Sequence, residues 1–243
     1  MESPTQTNAR SCRSDCTLVV MAKAPKPGQV KTRLAECLPA PAVISLYRCL
    51  FADTIALAKS LGNVEIAIMC PASDVDDLVR LVGDEVSVVA QTGEGLAAGL
   101  TSVFAHFTAT GQQRVIAFNS DSPHLPASVL ESAFAALATC DAVIGPTHDG
   151  GYYLVGAKAA HPTLFENDGM GTTSALEGLL TRARGLKLST AFTDPFYDID
   201  VADDLIRLDA ELRLAPSRAP RTAAWFAEWG QLVAQFGRGI GDL

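Results

Sequence analysis

Four cations stand on one short loop near the start of the chain: Lys23, Lys26, Lys31 and Arg33, in the run Lys23-Ala24-Pro25-Lys26-Pro27-Gly28-Gln29-Val30-Lys31-Thr32-Arg33. No acid interrupts the twenty residues from Cys16 to Ala35, although the chain as a whole carries a formal net charge of −8. An acidic protein that gathers positive charge in one place is equipped to hold an anionic ligand. Turns made by Pro and Gly keep backbone amides free to face the same ligand, as polyphosphate loops do. The run is not a Walker A loop, because Gly28-Gln29-Val30-Lys31-Thr32 has the Lys-Thr pair without the paired glycines. On composition alone it reads equally as a solvated basic turn.

Three other segments carry chemistry. Asn119-Ser120-Asp121-Ser122-Pro123-His124-Leu125-Pro126 follows an apolar strand. An acid at the end of such a strand can hold Mg²⁺, which takes one or two protein carboxylates plus phosphate and water oxygens; it can also cap the following helix. Asp149-Gly150-Gly151-Tyr152 places two glycines after an acid, which suits either close backbone approach to a ligand or a tight hairpin turn. Asp198-Ile199-Asp200 precedes a helix, so Asp200 is either its N-cap or a second metal ligand reaching back to Asp121.

The elements that must position these loops alternate. Apolar runs and helical spacing predict strands at Leu18–Ala22, Val64–Met69, Val86–Ala90, Arg114–Phe118, Ala142–Gly145, Tyr152–Val155 and Leu186–Phe192. Helices are expected at Ala42–Leu61, Asp74–Val82 (capped by Ser73), Gly95–Phe107, Pro126–Ala138, Thr172–Arg184, Ala202–Leu214 and Trp225–Phe236. Gly99 is the weak point of its helix, while Trp225, Phe226 and Trp229 supply a packing face. This alternation implies an α/β domain with a mostly parallel sheet covered on both faces. In such sheets ligands sit outside the carboxyl ends of the strands, which is where these loops fall.

Bulk properties narrow the function. Apolar content of 48% with 19% charged residues describes an ordinary globular protein. The acidic balance argues against a nucleic-acid surface, and no apolar run approaches a membrane span. The polar residues 1–15 are expected to form a disordered tail and residues 16–243 a single domain. Six scattered cysteines form no disulfide framework at this length, and Cys12 and Cys16 lack the second pair of a zinc site. The four histidines show no metal-ligand spacing. A reducing cytoplasm is the expected compartment.

Taken together, Ala22-Lys23-Ala24-Pro25-Lys26-Pro27-Gly28-x-x-Lys31-Thr32-Arg33-Leu34, Ser120-Asp121-Ser122-Pro123, Gly145-Pro146-x-x-Asp149-Gly150-Gly151-Tyr152-Tyr153-Leu154 and Asp198-x-Asp200 resemble a bacterial glycosyltransferase-like family. That family has the nucleotide-diphospho-sugar transferase fold. It is related to the 2-phospho-lactate guanylyltransferases of deazaflavin cofactor synthesis and, more distantly, to molybdopterin guanylyltransferases. The resemblance implies a single-domain GT-A fold, Rossmann-like in its nucleotide-binding half, with a mixed sheet. It implies a metal, Mg²⁺ or Mn²⁺, on Asp121 and Asp200, with Asp198 the lesser choice. It assigns nucleotide binding to Lys23, Pro25, Gly28, Lys31, Arg33, Gly95 and Leu96, and catalysis to Lys31, Arg33 and Asp121. Ser122, Asp149, Gly150, Gly151 and Tyr152 would shape an acceptor pocket.

Two departures from the family pattern bear on the acceptor. Gly95-Leu96-Ala97-Ala98-Gly99-Leu100 lacks the acid and arginine of many relatives, and Met170-Gly171-Thr172 stands where an aromatic-Gly-Thr is common. The implied partners are a nucleoside triphosphate or a nucleotide sugar, and a small-molecule acceptor. The implied reaction is nucleotidyl transfer with pyrophosphate release. Glycosyl transfer from a nucleotide sugar and non-catalytic nucleotide binding are the alternatives.

Overall fold

The computed structural model describes residues 14–166 and 174–236. Its centre is the strand β1 (Cys16–Met21), whose apolar residues are buried on both faces. Leu18 and Val20 point into one core and Val19 into another, which is why the run is continuous rather than alternating. The first core is closed by α1 (Ala40–Lys59), α2 (Val75–Val82) and α4 (Ala127–Ala136), the second by α3 (Gly95–Ala109) and α5 (Ala175–Gly185). A third cluster packs the outer side of α1 against α6 (Ala202–Leu214) and α7 (Pro220–Phe236), through Leu46, Leu50, Leu208, Trp225 and Phe226.

The remaining strands are β2 (Glu65–Cys70), β3 (Ser87–Ala90), β4 (Arg114–Asn119), β5 (Ala142–Pro146), β6 (Tyr152–Ala157) and β7 (Thr190–Phe192). They form one seven-stranded sheet in the order β3-β2-β1-β4-β6-β5-β7. Only β6 runs against its neighbours β4 and β5; all other pairs are parallel. The sheet is therefore mixed and mostly parallel, as expected. Register places Met21 beside both Met69 and Asn119, so the loops after β1, β2 and β4 leave from one edge. The strand order reverses around β1, the usual place for a ligand crevice.

Among the described residues α1 is the one helix long and apolar enough to cross a membrane. Here it is packed on two sides, by Phe51 and Ile55 in one core and by Leu46 and Leu50 in another. It also carries a buried acid. Asp53 accepts hydrogen bonds from the Arg221 and Thr222 amides (3.3 and 2.8 Å) and from the Thr222 hydroxyl (2.9 Å). These amides belong to the first turn of α7, where helical N–H groups lack internal partners.

Several local expectations are corrected. Ser73 does not cap α2; Asp74 occupies the N-cap position, and its carboxylate turns to Lys26 and to the Ala24 amide. The last strand is only Thr190–Phe192, because α5 extends to Gly185 and Lys187 turns the chain with φ +58°. Of the two readings of Asp149-Gly150-Gly151, the hairpin turn is the one seen: it joins β5 to β6, with Thr147 N–H donating to the Gly151 carbonyl. Residues 1–13 of the expected tail and Met170–Thr172 lie outside the described residues. Ser14 and Asp15 are tied down, the latter by two hydrogen bonds from Arg114 (2.9 and 3.0 Å).

Candidate metal and phosphate site

The loop after β1 is fixed at both ends. Tyr47, buried on α1, accepts from the Lys23 amide and donates to the Lys23 carbonyl, both at 3.1 Å, and its hydroxyl lies 3.3 Å from Ser120 Oγ. One residue thus ties the basic loop to the Asp121 loop. Asp74 accepts from the Ala24 amide (2.9 Å) and from Lys26 Nζ (2.7 Å), while Asp77 takes Lys26 at 3.0 Å. Lys26 is therefore an anchor of the loop and not one of its ligand-facing cations. Nothing local announces this, because its partners lie on α2.

At the far end of the loop Lys31 adopts φ +47°, a left-handed conformation that non-glycine residues rarely take. The twist sends its side chain inward, where it is 3% exposed. The ammonium bonds to Asp121 Oδ2 and lies 3.1 Å from Asp200 Oδ1. Burial works against the charged lysine, but Asp121 and Asp200 outweigh it and hold the group above its ordinary value. Arg33, 65% exposed, reaches Asp200 Oδ2 at 3.5 Å.

Asp198 completes the cluster. One carboxylate oxygen from each of Asp121, Asp198 and Asp200 lies within 4.8 Å of the others. Burial, and then the neighbouring Asp121 charge, push the Asp198 carboxyl up to about 7. Asp121 Oδ1 is buried with no protein partner. A buried carboxylate oxygen is normally satisfied, and a set of hard oxygens suits Mg²⁺, Mn²⁺ or Ca²⁺. The residues fit a divalent cation. Asp200 belongs to this cluster, and its N-cap alternative is not met. Val201 is the N-cap of α6, and Asp204 accepts from the Asp200 and Val201 amides at 2.8 Å each. Spacing could have promoted Asp198, since residues i and i+2 of an extended segment share a face.

Two members of the cluster, Asp121 and Asp200, line an open cavity of about 990 Å³. Lys23, Lys31, Tyr47 and Ser120 line it with them, as do Pro71 after β2, Gln91 after β3, and Gly95 and Leu96 at the start of α3. Pro25 and Gly28 shape the basic loop without lining the cavity, where Gln29 and Val30 appear instead. Gly99 explains itself here: a Cβ on it would sit 2.7 Å from Gln91 Oε1 and 2.8 Å from Met21 Cε. Gln91 Nε2 in turn donates to the Gly93 and Gly95 carbonyls at 3.0 and 3.1 Å, holding that loop.

The expected acceptor residues are less uniform. Ser122 is fully buried; its hydroxyl accepts from Asn119 Nδ2 (2.9 Å) and donates to the Tyr197 carbonyl (3.2 Å). It therefore pins the Asp121 loop to the Asp198 segment and is closed to an acceptor. Asp149 is kept below the usual carboxylate range by the Thr147 hydroxyl, with the Gly151 amide and the Arg33 charge contributing. Asp149, Gly150, Gly151 and Tyr152 do not line the cavity, and Tyr152 packs on the second core. Of these, Asp149 feels the site through the charge of Arg33. His124 was not singled out by sequence. It is fully buried, 4.8 Å from the Phe196 ring and 4.5 Å from the Tyr197 ring, and burial brings it down to about 3. It braces, as a neutral ring, the segment that carries Asp198 and Asp200.

A profile of a bacterial family described as uncharacterized (DUF2064) matches residues 54–172, a stretch that includes Asp121 and Asp149 but neither Lys31 nor Asp200. No curated protein sequence matches the chain. Among solved structures, a Desulfovibrio desulfuricans G20 protein provisionally described as a nucleotide-diphospho-sugar transferase is 26% identical. The similarity covers 92% of this chain and 98% of that one, with a TM-score of 0.85. CMP:2-keto-3-deoxy-manno-octonic acid synthetase, solved with CTP, is 10% identical over 82% of this chain and 99% of its own, TM-score 0.53. A 4-diphosphocytidyl-2C-methyl-D-erythritol synthase from Anaerococcus prevotii DSM 20548 is 13% identical over 82% of this chain and 96% of its own, TM-score 0.51. The fold is that of the nucleotide-diphospho-sugar transferases.

Proposed function

We propose that the chain is a nucleotide-utilising transferase that moves a nucleotidyl group from a nucleoside triphosphate to a small phosphorylated or carboxylate acceptor, releasing pyrophosphate. The observation that carries this reading is the Lys31-bridged carboxylate cluster, two of whose members line a cavity of about 990 Å³, a volume in the range of small-ligand sites. Neighbours of the same fold support it, one of them solved with CTP. Asp121, Asp198 and Asp200 would hold Mg²⁺ or Mn²⁺, which supplies charge neutralisation at a phosphoryl oxygen and a template for its approach.

The chain's own residues do the rest. Lys23, exposed on the cavity wall, offers a charge to the phosphates. Tyr47 fixes the backbone that carries Lys23, and Arg33 faces the hairpin loop with room to meet an anionic acceptor. Such chemistry needs positioned charge more than a covalent nucleophile.

A second reading, glycosyl transfer from a nucleotide sugar, is favoured by the description of the Desulfovibrio protein. Measuring released product separates the two. Nucleoside triphosphates and nucleotide sugars are incubated with Mg²⁺ and a panel of phosphorylated and carboxylate acceptors. Pyrophosphate release that drops about 10²–10³-fold in Asp121→Asn supports nucleotidyl transfer. Nucleoside diphosphate release from a sugar donor replaces it with the second reading, and tight nucleotide binding without turnover refutes both.

A further inference from the structure

We infer that Lys31 shares the carboxylate cluster with one divalent cation, holding one edge of it and so restricting the site to a single metal ion. The inference rests on the metal site proposed above and adds its stoichiometry. Three aspartates, with Asp121 able to bridge, are enough for a two-metal centre of the kind common in phosphoryl chemistry. In this chain two of the available oxygens are already used. Lys31 Nζ bonds to Asp121 Oδ2 and lies 3.1 Å from Asp200 Oδ1. What is left on the other edge is Asp121 Oδ1, buried and unpartnered, together with Asp198.

Lys31 is not a loosely placed surface cation that a second metal ion would brush aside. Its side chain is 3% exposed, and its backbone is held left-handed to put it there. Strain of this sort persists only where the surroundings over-determine it, and it concentrates at functional positions. Charge points the same way. A bound cation requires its carboxylates ionised, and with all three deprotonated the ammonium leaves a net of two negative charges, which one divalent cation balances. Arg33 also touches Asp200, but at 3.5 Å from an arginine that is 65% exposed it is a screened, replaceable contact. The ammonium thus stands where a second metal ion would otherwise bridge Asp121 and Asp200.

The test is Mn²⁺ binding to metal-stripped protein without nucleotide, read by the electron paramagnetic resonance of free Mn²⁺. Wild type and Lys31→Arg are expected to bind one equivalent. Lys31→Met, which keeps the length and loses the charge, is expected to bind two, the first at least about tenfold tighter than in wild type. Lys31→Gly also removes the charge and relieves the backbone, so it replaces Lys31→Met if that variant fails to fold. A single equivalent in the charge-removed variant overturns the inference while leaving the proposed function standing. Two equivalents in wild type overturn it as well. If wild type binds no Mn²⁺, the metal site of the proposed function falls, and the stoichiometry with it.

Discussion

Asp198→Asn should make the metal-free protein more stable at pH 8 while abolishing its affinity for Mn²⁺. Asp198 is pushed from the ordinary value of 3.8 up to about 7 by burial and by the Asp121 charge. Folding therefore grips its proton more tightly than the unfolded chain does. Stability is lost as pH rises from about 4 to about 7 and stays lost above that. The full shift is worth at most about 4 kcal/mol, and the partial exposure of Asp198 at the edge of the site reduces the expectation to about 1–2 kcal/mol.

The wild-type pH profile hides this penalty. His124, brought from 6.5 down to about 3, has the opposite slope in nearly the same window, because the unfolded chain takes up a proton that the native ring refuses. Its contribution is lost as pH falls below about 6.5. The two slopes offset one another in wild type and part company in the variant. Urea unfolding of metal-stripped protein, followed by tryptophan fluorescence at pH 4.5, 6 and 8, gives the difference directly. Asp198→Asn should match wild type near pH 4.5 and exceed it at pH 8, with a melting temperature higher by about 2–8 °C. A variant less stable than wild type at pH 8, or a difference that does not grow with pH, would refute the reasoning.

Three other perturbations follow from the geometry. Tyr47→Phe removes the hydroxyl that bonds to both backbone groups of Lys23 and approaches Ser120; it should lower stability by about 1–2 kcal/mol and weaken triphosphate binding in calorimetry. Gly99→Ala would ordinarily stabilise a helix interior by about 0.5–1 kcal/mol. Here the added methyl displaces Gln91 and frees the Gly93–Gly95 loop, so no gain in melting temperature and weaker nucleotide binding are expected; a plain gain with unchanged binding counts against that account. Asp53→Ala strands the first-turn amides of α7 and should cost about 2–3 kcal/mol in urea unfolding, leaving Mn²⁺ affinity untouched.

What sequence reveals here depends on how far each residue's partners lie along the chain. Asp121 is legible because an acid after an apolar strand, in a parallel sheet, must emerge at the ligand edge. The left-handed turn at Lys31 has no such signature, nor does the pairing of Lys26 with Asp74 and Asp77, some fifty positions on. That pairing removes one of four cations that composition counts together. Ser122 sits inside a motif that invites a substrate role, yet its hydroxyl is consumed by Asn119 and Tyr197. Tyr47 draws no attention in the sequence; its ring is buried on α1 while its hydroxyl ties two loops together. Fold class needs only periodicity; the roles of these side chains need the tertiary pairings.

Those pairings concentrate unfavourable groups at one place. Lys31 holds a conformation that costs about 1–2 kcal/mol, Asp198 holds a proton most carboxylates have lost, and His124 buries two ring nitrogens without protein partners. All three lie at the carboxyl edge of the sheet or on the segments that brace it. The sheet and its helices thus carry the stability that lets three carboxyl groups be held with oxygens within 4.8 Å of one another. A divalent cation held by this cluster would remove the largest of these penalties, and only in the folded state, so each tenfold excess of Mn²⁺ over its dissociation constant should raise stability by about 1.4 kcal/mol. In Asp198→Asn, where the repulsion is already gone, the same Mn²⁺ titration should leave the melting temperature nearly flat.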